Sequence, residues 1–186
     1  MKNFTAILAV LMMIFAGLAC SGDETDKANV LVDEANKLVA EGNKNVQDAE
    51  TKGKEFDTKV SEIESNDDHK KVSEFGDKEL VPIYDKMKDN YQKAGEKFEA
   101  AGKLKVNDKY KEYLDAKAAE FKKRAEYAES LKAIPKTFAA SKDEKDYSES
   151  VKKDVEKAQK ILKEANELAE KATKIQNDNP GIFKKG

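Results

Sequence analysis

The sequence predicts an all-α protein: an up-and-down four-helix bundle, or a pair of long helical hairpins that do not share one core. Three observations carry this expectation. Apolar residues recur every three or four positions through nearly all of residues 27–177, the spacing that puts them on one face of a helix. Charged residues make up 39% of the 186 residues, tryptophan is absent and proline occurs three times, a composition typical of long helices. Short polar clusters then divide the periodic region into four stretches. A chain this polar without the periodicity would read as disordered.

The first stretch, Lys27 to Glu64, places Leu31, Ala35, Leu38, Gly42, Val46, Ala49, Gly53, Phe56, Val60 and Ile63 on one face. Its middle is thin, because Gly42, Ala49 and Gly53 bury little and let another helix come close. Each glycine costs a helix about 1 kcal/mol relative to alanine. Ser65-Asn66-Asp67-Asp68 supplies N-cap residues and a break. The second stretch, Asp68 to Ala101, runs through Val72, Phe75, Leu80, Ile83, Met87, Tyr91, Ala94 and Phe98. Pro82 interrupts it and predicts a kink or restart near Leu80, since proline removes a hydrogen bond and clashes with the preceding turn.

Gly102 to Asp108 forms a turn with Asn107 or Asp108 as the next cap. The third stretch, Asp108 to Ala133, carries Tyr110, Leu114, Ala118, Phe121, Ala125, Ala128 and Leu131, and Pro135 ends or bends it. The fourth, Glu144 to Asn177, is the cleanest: Tyr147, Val151, Val155, Ala158, Leu162, Ala165, Leu168, Ala172 and Ile175. Asn177-Asp178-Asn179-Pro180-Gly181 stops it. Residues 178–186 read as a loose tail whose Ile182 and Phe183 can dock on the bundle end. Acid-to-base pairs four apart, such as Glu50/Lys54, Glu55/Lys59, Glu120/Arg124, Glu156/Lys160 and Glu167/Lys171, read as solvated helix faces, each supporting its helix by about 0.2–0.5 kcal/mol.

Ahead of the helices, Lys2 is followed by an almost unbroken apolar run from Phe4 to Ala19, then by the chain's one cysteine, Cys20, and an abruptly polar Ser21-Gly22-Asp23-Glu24. The run is shorter than the roughly 20 residues a spanning helix needs, so it reads as a cleaved export signal over residues 1–19. Ala19-Cys20 at this junction resembles the lipobox of bacterial lipoproteins, although Gly17 stands where that family favours a large aliphatic residue. The resemblance implies a leader cut before Cys20, a diacylated thiol and an acylated amine, with residues 20–26 as a short tether. Ser21 after the cysteine favours the outer membrane by analogy, and Asp23, Glu24 and Asp26 resemble the acidic tract of some surface-exported lipoproteins. An ordinary signal peptidase cutting at the same bond is the competing reading; it leaves Cys20 a free thiol able to form an intermolecular disulfide.

Residues 20–68 hold 14 acidic and 6 basic side chains, whereas 103–136 hold 6 acidic and 10 basic. An acidic segment beside the anchor is repelled by anionic head groups, so the folded part is expected to stand off the membrane. Little in the sequence points to catalysis. His69 is the one histidine, which rules out paired-histidine zinc sites, and with Asp67 and Asp68 it falls in a helix-start signal. No phosphate-binding glycine loop and no EF-hand spacing is present. Aromatics at core spacing and diluting acids argue against nucleic acid. No enzyme activity, metal or cofactor is therefore expected.

The candidate functional residues are Cys20 for lipidation and a tyrosine set, Tyr84, Tyr91, Tyr110, Tyr113 and Tyr127, that either lines a groove for a partner or ligand or forms the edge of the core. The expected function is a structural or protein-interaction role at the bacterial envelope, with the membrane and an unidentified envelope protein as partners and self-association allowed by alanine-rich seams. The alternative is a bundle that binds a lipid or small apolar ligand.

Overall fold

The computed structural model describes residues 23–141 and 144–183. The chain is all-α, a helical bundle. Four long helices dominate: α1 (Thr25–Ser61), α3 (Val81–Gly102), α4 (Asp108–Leu131) and α6 (Glu144–Asp178). Three short ones accompany them: α2 (Asn66–Phe75), α5 (Ala133–Ala140) and α7 (Pro180–Phe183). Among the described residues no helix is long and apolar enough to cross a membrane.

The boundaries follow the local chemistry. Ser65 caps α2: its Oγ accepts from the Asp68 amide at 3.2 Å and donates to the Asp68 carboxylate at 2.6 Å, a reciprocal arrangement that satisfies a free helix-end donor. Asn107 caps α4 by accepting from the Lys109 amide at 2.8 Å. The break expected near Leu80 is a single π-helical turn, Gly76–Leu80, after which α3 restarts with Pro82 in its first turn. There proline's missing donor costs nothing. Pro135 is buried in the first turn of the short helix α5, which follows the end of α4 at Leu131 after Lys132, so the third stretch breaks just ahead of this proline.

Cross-helix ion pairs show the up-and-down course. Glu34 and Lys52 of α1 pair with Lys97 of α3 and Glu79 of the π turn; Glu99 and Lys88 of α3 meet Lys122 and Glu129 of α4; Lys123 of α4 meets Glu164 of α6. In the first two sets, rising numbers on one helix meet falling numbers on the next, so these neighbours are antiparallel. For α4 and α6 the same sense follows because Tyr113, early in α4, lies against Phe183, just past the end of α6. The order of packing is serial, α1 on α3, α3 on α4, α4 on α6. Lys122 reaches α3 while Lys123 and Arg124 reach α6, so α4 is covered on two sides.

One apolar cluster joins α1, α2, α3, α4 and α5 with Phe183 of α7, so the helices form one bundle and not two independent hairpins. Phe56, Phe98, Leu80, Met87 and Leu114 are its largest fully buried side chains. The buried residues of α6 are small: Ala158, Ala165 and Ala172, at every seventh position. Alanine lets helices approach closely but removes less apolar area from water than leucine.

Gly42 and Gly53 share a helix face in the sequence, and the structure separates them. A β-carbon on Gly42 would sit 2.5 Å from Cε1 of Tyr91, whereas one on Gly53 would meet nothing within 4 Å. Tyr91 is buried and its hydroxyl donates to Asn43 at 2.9 Å, so the ring has a fixed place. Gly42→Ala is expected to destabilise by about 1–3 kcal/mol through overpacking. Gly53→Ala should stabilise by about 0.5–1 kcal/mol through helix propensity. Urea denaturation of the two variants checks the opposite signs.

Candidate functional site

Cys20 lies outside the described residues. The described chain begins at Asp23, which belongs to the start of α1. Asp23 accepts from the backbone amide and hydroxyl of Thr25, at 2.9 and 2.6 Å, and so fixes the first turn of α1. Glu24 is held to the turn between α3 and α4. Its amide donates to the Lys105 carbonyl at 2.8 Å, and its carboxylate accepts from the Lys105 amide at 3.1 Å. Lys27 also reaches that carboxylate at 2.9 Å. Its bonds to Lys27 and Lys105 hold the Glu24 carboxyl below the ordinary glutamate range.

The same end of the bundle gathers the aromatic residues. Tyr110 donates to Asn29 Oδ1 of α1 at 2.7 Å, a bond between two buried side chains. Phe183 meets Tyr110 and Tyr113 edge-on, with ring centroids 5.7 and 5.0 Å apart. The expected docking of this tail residue is thus present: residues 180–183 form a helical turn with Phe183 buried.

The five tyrosines do not form one surface. Tyr84, Tyr91 and Tyr110 are buried, and Tyr113 and Tyr127 are half-buried. Tyr110 and Tyr113 stack at 6.2 Å near Phe183, while Tyr91 lies 5.8 Å from Phe121 in the middle of the core. Burial pushes the phenols of Tyr84, Tyr91, Tyr113 and Tyr147 up to about 12, and raises those of Tyr110 and Tyr127 as well. These are all six tyrosines of the chain. The unfolded chain loses phenol protons near pH 10, and the folded chain keeps them. The linked stability is therefore intact below about pH 10 and is lost as pH climbs toward 12. Phenolate absorbance is expected to stay low past pH 10, then rise together with loss of the far-ultraviolet helix signal. Six tyrosines titrating near 10 with the helices intact would contradict this packing.

The centre of α4 holds an ionic group that helical spacing alone did not mark as interior. Glu120 is 3% exposed, so the expectation of a solvated face fails for Glu120/Arg124. Its two oxygens take Lys117 at 2.6 Å and Arg124 Nε at 2.8 Å, and Arg124 also reaches Asn166 of α6 at 3.4 Å. The Lys117 ammonium lies 4.6 Å from the Phe121 ring centre, a favourable cation–ring contact. Glu120 is interior because α6 covers the side of α4 opposite to the one that α3 covers. Of the other four spaced pairs, Glu55 turns back to Lys52 and Glu167 to Lys163.

At the far end of the bundle His69 stacks on Phe138 at 4.5 Å, and Phe138 meets Phe56 and Tyr147 edge-on. His69 thus serves as a packing residue beside the capped start of α2. Among the described residues no group of three or more His, Cys, Asp or Glu side chains is placed to hold a metal ion.

An open groove of about 800 Å³ runs between α3, α4 and α6, lined by Lys88, Lys122, Lys132, Glu126 and Glu129 among others. Part of this charge is paired within the bundle: Lys132 bridges Asp85 and Glu129 at 2.8 Å each, and Lys88 meets Glu129 at 2.7 Å. Glu96, Lys136 and Lys157 also line the groove, so both signs are present in it. No protein-family model matches this chain, and no curated protein and no solved structure is significantly similar to it.

Proposed function

We propose that this chain is an exported, lipid-anchored helical-bundle lipoprotein with a non-enzymatic, structural or protein-interaction role at the bacterial cell envelope, most simply the outer membrane. One observation carries the reading: the chain's one cysteine stands at the junction between a short apolar leader and a strongly polar segment. Acylation is favoured over the competing free thiol because the lone cysteine falls at this very junction. Acyl chains on Cys20 contribute about 0.8 kcal/mol per buried methylene, so two or three of them anchor a protein durably.

The rest of the molecule is in keeping with such a role. Among the described residues the buried polar side chains Asn29 and Glu120 are bonded to partners within the bundle, and His69 Nε2 is the one buried side-chain nitrogen or oxygen there without a hydrogen-bond partner. The exposed surface is charged, and Val30 is its one exposed large apolar residue among the described ones. What the bundle offers a partner is polar helix faces.

Cys20→Ser separates this reading from its competitors. The mature variant is expected to leave the membrane pellet for the soluble fraction, with its helix content unchanged. A variant that still sediments with membranes after a high-salt wash would overturn the lipid anchor.

A further inference from the structure

The two outer helices of the serial bundle, α1 and α6, pack on α3 and α4 respectively and not on each other, so the cleft between them is floored by α3 and α4. Rings close one end of it: Phe138 of α5 meets Phe56 of α1 and Tyr147 of α6 edge-on, at 5.3 and 5.2 Å. Beside these rings each long helix contributes one polar group. Asp57 of α1, Tyr127 of α4 and Tyr147 of α6 all lie within electrostatic reach of the Tyr84 phenol of α3. The four side chains have no hydrogen-bond or ion-pair partner among the described residues. Tyr84 is 7% exposed, yet its hydroxyl is not sealed from solvent, so the hydroxyl opens into the cleft. We propose that Asp57, Tyr84, Tyr127 and Tyr147 form a binding site for an organic ammonium group, with Asp57 as its counter-charge and the three rings as its walls.

The phenols report the sign of the field in the cleft. Tyr84 feels Asp57, Tyr147 feels Asp57 and Asp154, and Tyr127 feels Glu50; each carboxylate makes the phenol hold its proton more tightly. Arg124 opposes them at Tyr127, and its own charge is met by Glu120 at 2.8 Å. Lys54, one turn from both Glu50 and Asp57, is exposed and pairs with neither. Asp57 stands exposed at the mouth, yet the chain packed round it lifts its carboxyl above the ordinary aspartate range, with no cation among the described residues to lower it. An unpaired carboxylate beside aromatic faces is suited to an ammonium group, which is drawn to the acid by charge and to the rings by their quadrupole. An anion would be repelled by all three carboxylates. A neutral apolar ligand would leave Asp57 and the hydroxyls covered and unbonded. The site is built by the bundle alone and does not depend on Cys20. Its ammonium group can belong to a small free solute or to a lysine side chain of a partner protein.

Fluorine nuclear magnetic resonance tests this on the full protein, isolated in a maltoside detergent with ring-fluorinated tyrosine at its six tyrosine positions. Single phenylalanine substitutions assign the signals. Choline and the amide of Nα-acetyl-lysine serve as quaternary and primary ammonium probes, and the alcohol in which carbon replaces the choline nitrogen is the neutral control. One or both ammonium probes are expected to shift Tyr84, Tyr127 and Tyr147 saturably, while Tyr110 and Tyr113 at the Phe183 end stay unmoved. The tighter of the two probes distinguishes a free solute from a lysine side chain. Asp57→Asn should weaken that binding about tenfold through loss of the counter-charge. Its helix signal should be unchanged, because Asp57 is exposed and bonds to nothing among the described residues. Equal shifts with the neutral alcohol, or binding unaltered in Asp57→Asn, would overturn the proposal. So would three tyrosine signals that neither ammonium probe moves.

Discussion

Phe98→Ala is expected to cost about 3–5 kcal/mol, the range for removing a fully buried phenylalanine. Phe98 is 0% exposed. It lies on α3, the helix that packs against both α1 and α4, and stacks on Phe121 of α4 at 5.5 Å with the rings nearly parallel. The neighbouring helices are already close-packed, so they cannot collapse into the space it would leave. A domain of this size has about 5–15 kcal/mol of stability in total, and 1 kcal/mol corresponds to about 2–4 °C of melting temperature. The variant should therefore melt about 10–15 °C lower, with an unchanged denaturant slope. Phe75→Ala provides the contrast. Phe75 is half-buried, and its ring is covered by Lys52 and Lys59 at 5.5 and 5.2 Å, so it should lose less than half as much. Equal losses at the two positions would mean that the core does not run between α1, α3 and α4.

Glu120→Ala is the second large effect. Removing one member of a buried ionic group leaves the others desolvated and typically costs about 3–5 kcal/mol. The Lys117 and Arg124 side chains retain 20% and 23% exposure, so their heads can partly turn to water, which places the expected loss near 3 kcal/mol. The triple replacement Lys117→Met, Glu120→Leu, Arg124→Met should recover most of that loss, because apolar side chains of similar volume need no partners. Urea denaturation by circular dichroism measures both. A Glu120→Ala variant within 0.5 kcal/mol of the parent, as for an ordinary surface substitution, would show that α6 does not cover this side of α4.

The contrast between these two residues shows what the sequence displayed. Phe98 was legible, because it falls on the three-four apolar spacing that defines α3. So were the four long helices, the Ser65 and Asn107 caps and the restart before Pro82, since each depends on neighbours within one turn of chain. Glu120 was not. A helix with two packing partners buries a second face, and the spacing of apolar residues reports only the first; Glu120 and Ala116 occupy that second face. Gly42 and Gly53 looked alike for the same reason, since only the position of Tyr91 on another helix distinguishes them.

The start of α1 was not legible in one respect: the pairing of Glu24 with Lys105 joins residues 81 positions apart and leaves no local trace. The tyrosines attracted notice by their number in two helices. Their distribution between the core centre and the Phe183 end depends on the serial packing of α1, α3, α4 and α6, which spacing within single helices does not encode.

The lipid attachment is what the envelope role requires, and intact mass spectrometry of the protein extracted from its native membranes reads it directly. The account predicts a chain beginning at Cys20 whose mass exceeds the polypeptide by a diacylglyceryl group and an amide-linked acyl chain, with the excess confined to the N-terminal peptide. A chain beginning at Cys20 with an unmodified thiol, or one that retains the leader, would contradict it.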